Sequence, residues 1–596
     1  MFQSFEVTAR PEQGPPRLAA LRKALKNQAL DGFLVPRADA HQGEYVAPCD
    51  ERLAWLTGFT GSAGFCAVLS EIAGVFIDGR YRTQVKAQVA AEYTPVPWPD
   101  VSLGDWLKKQ LPDGGKVGFD PWLHTVKELD DLNNILQGTD IQMCPCDNLV
   151  DQIWSDRPAA PSALAKIHPL EFAGESHADK RQRLGIELQS KGQKAALITL
   201  PDSLCWLLNI RGADIPRNPV AQGFCLLEAN GDVQLFMDAD KLEGLQDHLG
   251  RDVVQHAPSD LIAFLEKYTG PVRMDKGTVP VRLANALGAQ GVWGGDPCAL
   301  PKARKNQAEI DGSAAAHLRD GAAVVELLAW LDAQEPGSLT ETQVVTKLEG
   351  FRRRDNALQD ISFETIAGTG PNGAIMHYRV TEETDSQLED GQIIVLDSGG
   401  QYLDGTTDIT RTIAIGQPST EATEAFTRVL QGMIAMSRLR WPQGLAGRDI
   451  EGIARLPLWM AGQDFNHGLG HGVGAYLSVH EGPQRLSRAS HVPLEPGMIL
   501  SNEPGYYREG AFGIRIENLI VVIQAPELAT ADPEREMLAW RTLTFVPIDR
   551  RLILAERLTG EDRNWLNAYH REVAEKIMPR VSPSAQTWLE QATAPV

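Results

Sequence analysis

The chain has 596 residues, 43% of them hydrophobic, and a formal net charge of −21 at pH 7. This length predicts about three or four domains, and the apolar content suffices for several buried cores. The negative charge opposes binding to phosphate backbones and anionic lipid surfaces, so nucleic acid and membrane partners are not expected. Neither a signal-peptide pattern nor a run of about eighteen apolar residues occurs, which predicts a cytoplasmic protein.

The cysteines predict neither disulfides nor a thiolate metal site. Seven cysteines, an odd number, are scattered as far as Cys298, and none forms a Cys-x-x-Cys pair. Ordinary buried thiols are therefore expected. Any metal ion held by the second half of the chain would need nitrogen and oxygen ligands.

Helix and strand patterns alternate in the first 300 residues. Helical periodicity at 17–29 precedes a turn and short strand at 31–36, and helical periodicity at 180–191 precedes a strand at 195–200. Helices that alternate with strands predict α/β layers.

Two short motifs recur at similar offsets. The pattern Leu-x-Trp-Leu begins at Leu53 and again at Leu204, and Phe76-Ile77-Asp78 matches Phe236-Met237-Asp238. Self-similarity of this kind indicates duplication. Two related α/β domains with slightly different loop lengths are therefore predicted.

Composition shifts place the domain boundaries. A Pro- and Ala-rich stretch at 155–162 separates the two copies, the second copy ends near Asp296-Pro297, and a long helical pattern at 307–332 opens a third domain. The predicted domains are residues 1–157, 158–303, 304–548 and 549–596. The last is a helical tail whose aromatic side chains are expected to pack against the body of the protein.

Four acids in the third domain occur at or near the ends of predicted strands: Asp397, Asp408, Glu503 and Glu517. A hairpin would bring the first two together. Each acid alone has an ordinary interpretation, such as a turn cap or an ion pair with Arg411 or Arg515. If all four converge, they need cations, and two divalent metal ions would balance them.

A histidine- and glycine-rich stretch at 466–483 contains His467, His471 and His480. Its glycines permit tight turns or close approach of a ligand or metal ion. By itself the stretch is as compatible with a structural or phosphate-binding loop as with a metal or catalytic site. However, it lacks the Lys-Ser/Thr ending of a P-loop and the glycine spacing of a dinucleotide site.

Together these residues resemble a known family. Five residues resemble the metal ligands of the pita-bread metallopeptidases in type and spacing: Asp397, Asp408, His471, Glu503 and Glu517. Further stretches are similar to three-domain Xaa-Pro aminopeptidases: 39–50, 78–81, 370–378, 404–412 and 503–518. The resemblance implies an α/β and α+β multidomain protein, with two N-terminal domains like those of creatinase and prolidase, a pita-bread catalytic domain and a helical extension.

The resemblance also implies an activity. It is release of the N-terminal residue from peptides with proline in the second position, by attack of a hydroxide that bridges two metal ions. Asp408 and Glu517 would bridge the ions, Asp397 would bind one ion, and His471 and Glu503 the other. Glu503 would also receive the proton of the attacking water. Ligation by oxygen and one imidazole favours Mn²⁺ over Co²⁺ or Zn²⁺.

Other site residues follow from the same resemblance. His480 would stabilise the oxyanion, His377 would assist positioning or proton movement, and His467 would support the ligands or carry protons, all three near the bound substrate. Tyr506 and Arg515 are expected to help line the substrate site. Arg80 is expected to reach the site of a neighbouring subunit, in a homodimer.

Alternative functions differ in how well they fit the chain. Prolidase, which cleaves Xaa-Pro dipeptides, shares the five ligands but not the duplicated N-terminal half and the tail. Creatinase works without metal, and methionine aminopeptidase lacks the two preceding domains. A non-catalytic peptide-binding protein of this fold would be expected to have lost ligands, and here all five are present.

Overall fold

A computed structural model describes residues 1–532 and 534–596, which form two compact units. The N-terminal unit comprises Thr8–Leu170 and Glu175–Ala299, and the C-terminal unit comprises Met1–Val7, Glu171–Gly174 and Leu300–Val596. The first seven residues therefore belong to the C-terminal unit, where Phe2 contacts Glu349 and Gln3 contacts Thr365. The boundaries at 157, 303 and 548 stay predictions.

The N-terminal unit contains two six-stranded sheets with the same strand order and the same directions: parallel, antiparallel, antiparallel, parallel, parallel. The first sheet, in spatial order, consists of Tyr93–Pro97, Ala73–Ile77, Phe65–Leu69, Gly32–Pro36, Gly115–Phe119 and Ile141–Pro145. The second consists of Val253–His256, Val233–Phe236, Phe224–Glu228, Ala195–Ile198, Val272–Met274 and Gly291–Trp293. The predicted duplication is confirmed.

The helices of the two domains also correspond. Helix Arg52–Thr57 ends at Gly58 and helix Pro201–Leu208 ends at Asn209, both in the left-handed conformation that glycine and asparagine tolerate best. The first domain has helices Gly14–Asn27, Arg52–Thr57, Gln84–Gln88, Leu103–Gln110, Val126–Leu136 and Leu149–Ile153. The second has His177–Ser190, Pro201–Leu208, Gln246–Leu249, Leu261–Lys267 and Val281–Leu287. Shorter elements between the domains and units are Lys166–Ile167, paired with Ile210–Arg211, and helices Leu170–Ala173 and Ala299–Ala303.

The C-terminal unit contains the predicted long helix, Gln307–Asp332. Asn306 and Glu309 form a reciprocal capping box at its first turn, which satisfies backbone donors there. Its buried face, with Val325 and Leu328, shares one hydrophobic core with the buried face of helix Thr420–Ser437. The helices are Gln307–Asp332, Glu341–Arg352, Thr420–Ser437, Gly447–Ile450, Gly452–Trp459, Gly560–Ile577 and Pro583–Ala592.

Antiparallel sheets complete this unit, so the chain combines α/β and α+β domains as predicted. A six-stranded sheet runs, in spatial order, Arg440–Pro442, Met537–Thr542, Asn518–Gln524, Ile499–Asn502, Gly470–Gly472 and Glu481–Leu486. Smaller sheets consist of Ile366–Thr369, Ile393–Ser398 and Ile409–Ala414, of Asp360–Ile361, Gly400–Tyr402 and Gly405–Thr406, and of Gly505–Arg508 and Phe512–Arg515.

Two expectations from composition can be compared with the structure. All seven cysteines are free thiols. Among the described residues, no helix combines the length and apolar character needed to cross a bilayer.

Candidate metal centre

A hairpin carries the first two acids. Strands Ile393–Ser398 and Ile409–Ala414 pair antiparallel, as predicted, with Asp397 opposite Thr410. Asp408 immediately precedes the second strand. Its carboxyl therefore lies at the end of the hairpin that also holds Asp397.

The other ligand candidates come from the six-stranded sheet. His471 lies in strand Gly470–Gly472, and Glu503 follows strand Ile499–Asn502. The single strand predicted at 513–522 is divided in two at Glu517, whose backbone N–H donates to the carbonyl of Thr410 at 3.1 Å. This hydrogen bond connects Glu517 to the hairpin that carries Asp397 and Asp408.

Three of the five predicted ligands converge closely. One potential ligand atom from each of Asp408, His471 and Glu517 lies within 4.8 Å of the other two. His471 Nε2 is 3.4 Å from Asp408 Oδ2 and 3.6 Å from Glu503 Oε1. Asp397 is near enough for its charge to raise the pKa of Asp408, Glu503 and Glu517.

The free oxygen atoms of this cluster fit a cation. Asp397 Oδ1, Asp408 Oδ1 and Glu517 Oε1 are buried, and no described residue gives them a hydrogen bond. Buried carboxylate oxygens without donors are costly unless a cation contacts them. The donor set, oxygens with one imidazole nitrogen, is one that divalent metal ions accept.

The pKa shifts point the same way. Burial, followed by repulsion from Asp397, raises the pKa of Asp408 well above its ordinary value. Burial and then repulsion from Asp408 do the same for Glu517. Burial and then the charge of Glu517 raise the pKa of Glu503 to about 7. These carboxyl groups therefore disfavour simultaneous ionisation without a cation.

Arg515 provides one positive charge. It is 3% exposed, and its Nη2 donates to Asp397 Oδ2 at 2.6 Å. It thus offsets one of the four negative charges, so charge balance alone no longer demands two divalent ions. The sequence predicted that Arg515 helps to line the substrate site, and the structure shows that it forms an ion pair with Asp397.

Tyr507 is a residue that the sequence reasoning missed. Its hydroxyl accepts from Arg515 Nη1 at 2.7 Å and lies 3.0 Å from His467 Nε2. Tyr506, the predicted neighbour, packs against the same apolar core as Tyr507 and lies beside Phe512. The signal was the even spacing from Glu503 to Tyr507, which keeps side chains of an extended chain on one face.

Two hydroxyl groups that contact the proposed ligands also lie two residues from a ligand in sequence. Thr410, two residues after Asp408, donates to Glu517 Oε2 at 2.8 Å. Ser501, two residues before Glu503, donates to Glu503 Oε1 at 3.2 Å and accepts from the backbone N–H of His471 at 2.9 Å. These hydroxyls orient three of the predicted ligands.

The glycines around His471 serve strand packing. A Cβ on Gly470 would lie 1.9 Å from the carbonyl oxygen of Ser501, and one on Gly472 would lie 2.4 Å from Gln484. Any side chain would push the neighbouring strand away. At Gly470 and Gly472, the group that approaches closely is therefore a neighbouring part of the protein.

His377 lies in the loop that follows Asn372. Glu341, fully buried, holds this loop: it accepts from the Thr369 N–H at 2.7 Å, from Asn372 Nδ2 at 3.0 Å and from the Tyr378 hydroxyl at 2.8 Å. Burial raises the pKa of Glu341 to about 7. Arg515 Nη1 reaches the carbonyl of the residue before His377 at 3.4 Å, which connects the loop to the cluster.

His480 lies beside a predicted ligand. Its ring centroid is 4.3 Å from that of His471, in an edge-on arrangement. The next residue, Glu481, is buried between two lysines, with Lys302 Nζ at 2.8 Å and Lys305 also paired to its carboxylate. The backbone after His480 is therefore held by buried charge.

Arg411 links the site to the tail. The side chain is buried and donates to the carbonyls of Glu517 at 2.6 Å and Thr410 at 2.7 Å, and to the hydroxyl of Tyr569 at 2.9 Å. It therefore holds backbone and does not neutralise Asp408. Tyr569 in the tail does more than pack.

Arg80 belongs to the N-terminal unit. Its guanidinium donates to the carboxylate of Asp78, with Nη2 2.6 Å from Oδ2. About a quarter of the side chain is exposed, 24%. Its role toward a neighbouring subunit stays a prediction.

Comparison with family models accounts for nearly the whole chain. Residues 312–524 match metallopeptidase family M24, and residues 536–596 match the C-terminal region of that peptidase. Residues 17–153 and 156–309 each match a creatinase/prolidase N-terminal domain. The predicted order of two related domains followed by the peptidase domain is confirmed.

Known proteins agree with these models. The chain is 36% identical to aminopeptidase P2 of Arabidopsis thaliana over 97% of this chain and 88% of that protein. It is 37% identical to the probable Xaa-Pro aminopeptidase P of Talaromyces marneffei, over 97% of this chain and 92% of that protein. The crystal structure of X-prolyl aminopeptidase from Caenorhabditis elegans, described as a cytosolic enzyme with a di-nuclear active site, superposes with a TM-score of 0.94 at 32% identity, covering 98% of this chain and 100% of that one. The chain therefore belongs to metallopeptidase family M24 and, within it, groups with the Xaa-Pro aminopeptidases P.

Proposed function

We propose that this protein is a metal-dependent aminopeptidase that releases the N-terminal residue from peptides whose second residue is proline. The observation that carries the proposal is the convergence of Asp408, His471 and Glu517 within 4.8 Å, with buried carboxylate oxygens that lack donors. The similarity to Xaa-Pro aminopeptidases over 97% of the chain supports the proline specificity.

The proposed ligands are the five residues predicted from the sequence. Asp408 and Glu517 would contact both ions, Asp397 one, and His471 and Glu503 the other. Two divalent ions, when bound, would polarise the scissile carbonyl and lower the pKa of a water molecule. The free oxygens of Asp397, Asp408 and Glu517 support this assignment.

The proton chemistry belongs to the side chains. Glu503 would take a proton from the attacking water and return it to the leaving nitrogen. His480, beside His471, would donate a hydrogen bond to the oxyanion. His377 would position the substrate, and His467, bonded to Tyr507, would support the ligands or carry protons. Proline lacks an amide hydrogen, so a site that needs none accepts it.

The remaining assignments are finer proposals. The oxygen-rich ligand set favours Mn²⁺. We propose a cytoplasmic homodimer in which Arg80 reaches the partner's site, and Tyr506 and Arg515 stay candidates for contact with substrate. The C. elegans relative is described as cytosolic, which supports the location. We also propose that the domains end at residues 157, 303 and 548.

One assay separates the candidate activities. Metal-stripped protein, with and without added Mn²⁺, is incubated with an Xaa-Pro dipeptide and with an Xaa-Pro-Xaa tripeptide. We expect Mn²⁺-dependent release of the first residue from the tripeptide. Cleavage confined to the dipeptide would identify a prolidase and reject the aminopeptidase.

Two control peptides test the specificity. An Xaa-Ala-Xaa tripeptide replaces proline, and an N-acetylated Xaa-Pro-Xaa tripeptide removes the free amine. Both should be poor substrates. Equal rates on all three tripeptides would contradict recognition of proline and of the N-terminus.

A further inference from the structure

Asp408 lies outside the regular part of its hairpin. The last paired residues of the two strands are Ser398 and Ile409, and Asp408 precedes Ile409. Pairing resumes beyond it, where the Thr407 N–H donates to the Gly400 carbonyl at 2.9 Å and Gln401 lies opposite Thr406, so Asp408 lies at an interruption between two paired stretches. Contacts from outside the hairpin act at this interruption.

A buried ion pair makes those contacts. Arg352, at the end of helix Glu341–Arg352, donates to Asp320 of the long helix through Nε at 2.6 Å and Nη2 at 3.0 Å. The two residues are 3% and 0% exposed. Burial alone would raise the pKa of Asp320, but Arg352 and the hydroxyl donors hold it below its ordinary value, so the pair is charged.

The pair is bonded to the neighbours of two proposed ligands. Arg352 Nη2 donates to the hydroxyl of Ser398, next to Asp397, at 3.0 Å. The hydroxyl of Thr407, next to Asp408, donates to Asp320 Oδ2 at 2.8 Å and accepts from the Gly400 N–H at 2.8 Å. One charged pair thus contacts both sides of the hairpin end.

Stability alone does not explain such a pair. A buried ion pair is often no more stabilising than apolar side chains of the same volume, whereas it fixes geometry because each donor and acceptor must be satisfied. Here the acceptors of Asp320 are filled by Arg352, Thr407 and Tyr402, whose hydroxyl lies 2.8 Å from Oδ1. The arrangement permits little displacement of the hairpin end.

We propose that the Asp320–Arg352 pair is a positioning device that sets the separation of Asp397 and Asp408 through Ser398 and Thr407. It rests on the proposed ligand set and adds residues to it that do not touch metal or substrate. Groups that orient metal ligands typically change metal affinity about 10- to 100-fold when they are removed.

The test measures metal binding by metal-free protein, with Mn²⁺ as the titrant in calorimetry. The double variant Ser398→Ala/Thr407→Val cuts the links and leaves the ion pair in place. Arg352→Met removes the cation, and Arg352→Lys keeps the charge without the two-pronged guanidinium. We expect the Kd for Mn²⁺ to rise about 10- to 100-fold in the double variant and in Arg352→Met, and less in Arg352→Lys.

The matched control is Lys241→Met, which breaks a similarly buried pair with Asp214 in the N-terminal unit, at 2.8 Å. It should lower the Tm of the metal-free protein and leave the Kd for Mn²⁺ unchanged. If Arg352→Met does not fold, the double variant carries the test. A wild-type Kd in the double variant overturns the positioning role, whatever its Tm.

The two proposals fail differently. Wild-type protein that binds no Mn²⁺ would overturn both the ligand set and the positioning device. Wild-type protein that binds Mn²⁺ and cleaves Xaa-Pro-Xaa peptides, with unchanged affinity in the double variant, would overturn the positioning device alone.

Discussion

The guanidinium of Arg515 lies 2.6 Å from Oδ2 of Asp397, a residue 118 positions earlier in the chain. Both side chains are buried, and the other oxygen of Asp397 has no donor among the described residues. Asp397 is therefore shared between a fixed cation and the proposed metal ion.

Arg515→Met tests this sharing. In metal-free protein it leaves a buried carboxylate without its cation, which should cost about 3–5 kcal/mol of unfolding free energy. Added Mn²⁺ should recover much of the loss, so the rise in Tm on adding Mn²⁺ should be larger in the variant than in wild type. Thermal unfolding with and without Mn²⁺ measures both.

The control is Arg82→Met. Arg82 pairs with Asp100 at 3.1 Å, and both side chains are more than half exposed, 52% and 67%. It should cost no more than about 1 kcal/mol and leave the Mn²⁺ response unchanged. Equal Mn²⁺ responses in the Arg515 variant and wild type would show that the metal does not share Asp397.

The stability of the metal-free protein should fall as pH rises. Burial raises the pKa of Glu503 from 4.5 to about 7. A raised folded-state pKa means that the contribution of Glu503 is fully present below about pH 4.5 and is lost as pH increases through 7, about 3 kcal/mol in all. Asp408 and Glu517 act in the same direction.

Thermal unfolding of metal-free protein between about pH 5 and pH 8, a range that brackets the pKa of Glu503, measures the effect. Because a metal ion replaces the protons, stabilisation by Mn²⁺ should grow over the same range. Glu503→Gln, which cannot titrate, should show a flatter profile. Identical profiles for the variant and wild type would contradict the shift.

Metal binding and turnover should separate in two groups of variants. Asp408→Ala and Glu517→Ala should each abolish metal binding and activity, because each removes an oxygen from the centre of the cluster. His480→Ala should keep its metal content and lose about 10²- to 10³-fold in kcat, as for loss of one oxyanion donor. Metal analysis and steady-state kinetics on the same samples distinguish them.

His491→Ala is the control, since His491 is exposed. It should behave as wild type in both assays. A fall in metal content for His480→Ala equal to that for Asp408→Ala would make His480 a ligand and contradict its assignment to the oxyanion.

Glu341→Gln should loosen the loop that carries His377. The carboxylate accepts hydrogen bonds from residues 369, 372, 378 and 386, and an amide would present N–H groups to some of these donors. A loss of about 1–3 kcal/mol in stability is expected, with lower kcat and unchanged metal content. Glu335→Gln, at an exposed position, should change none of the three.

The strands that carry the acids could be predicted from the sequence. Apolar strand patterns placed Asp397 and Glu503 at or near strand ends, as the structure has them, because burial and period-two alternation are local properties of the chain. The contacts of Arg515 with Asp397 and of Arg411 with Glu517 could not be predicted, because each joins residues more than 100 positions apart in the sequence. The contact of Tyr507 with Arg515 likewise depends on which face of the strand the side chain lies on, whereas nearness in sequence to Glu503 applies to Tyr506 and Tyr507 alike.

The bonds of Arg411 have a consequence for any shortened form of the protein. Arg411 donates hydrogen bonds to the backbone of Glu517 and to the hydroxyl of Tyr569, so the helical tail supports the backbone that carries Glu517. A chain that ends at residue 548 would lose Tyr569 and expose this guanidinium, which holds the carbonyl of Glu517. We therefore expect the smallest catalytically competent fragment to extend through the helix that contains Tyr569.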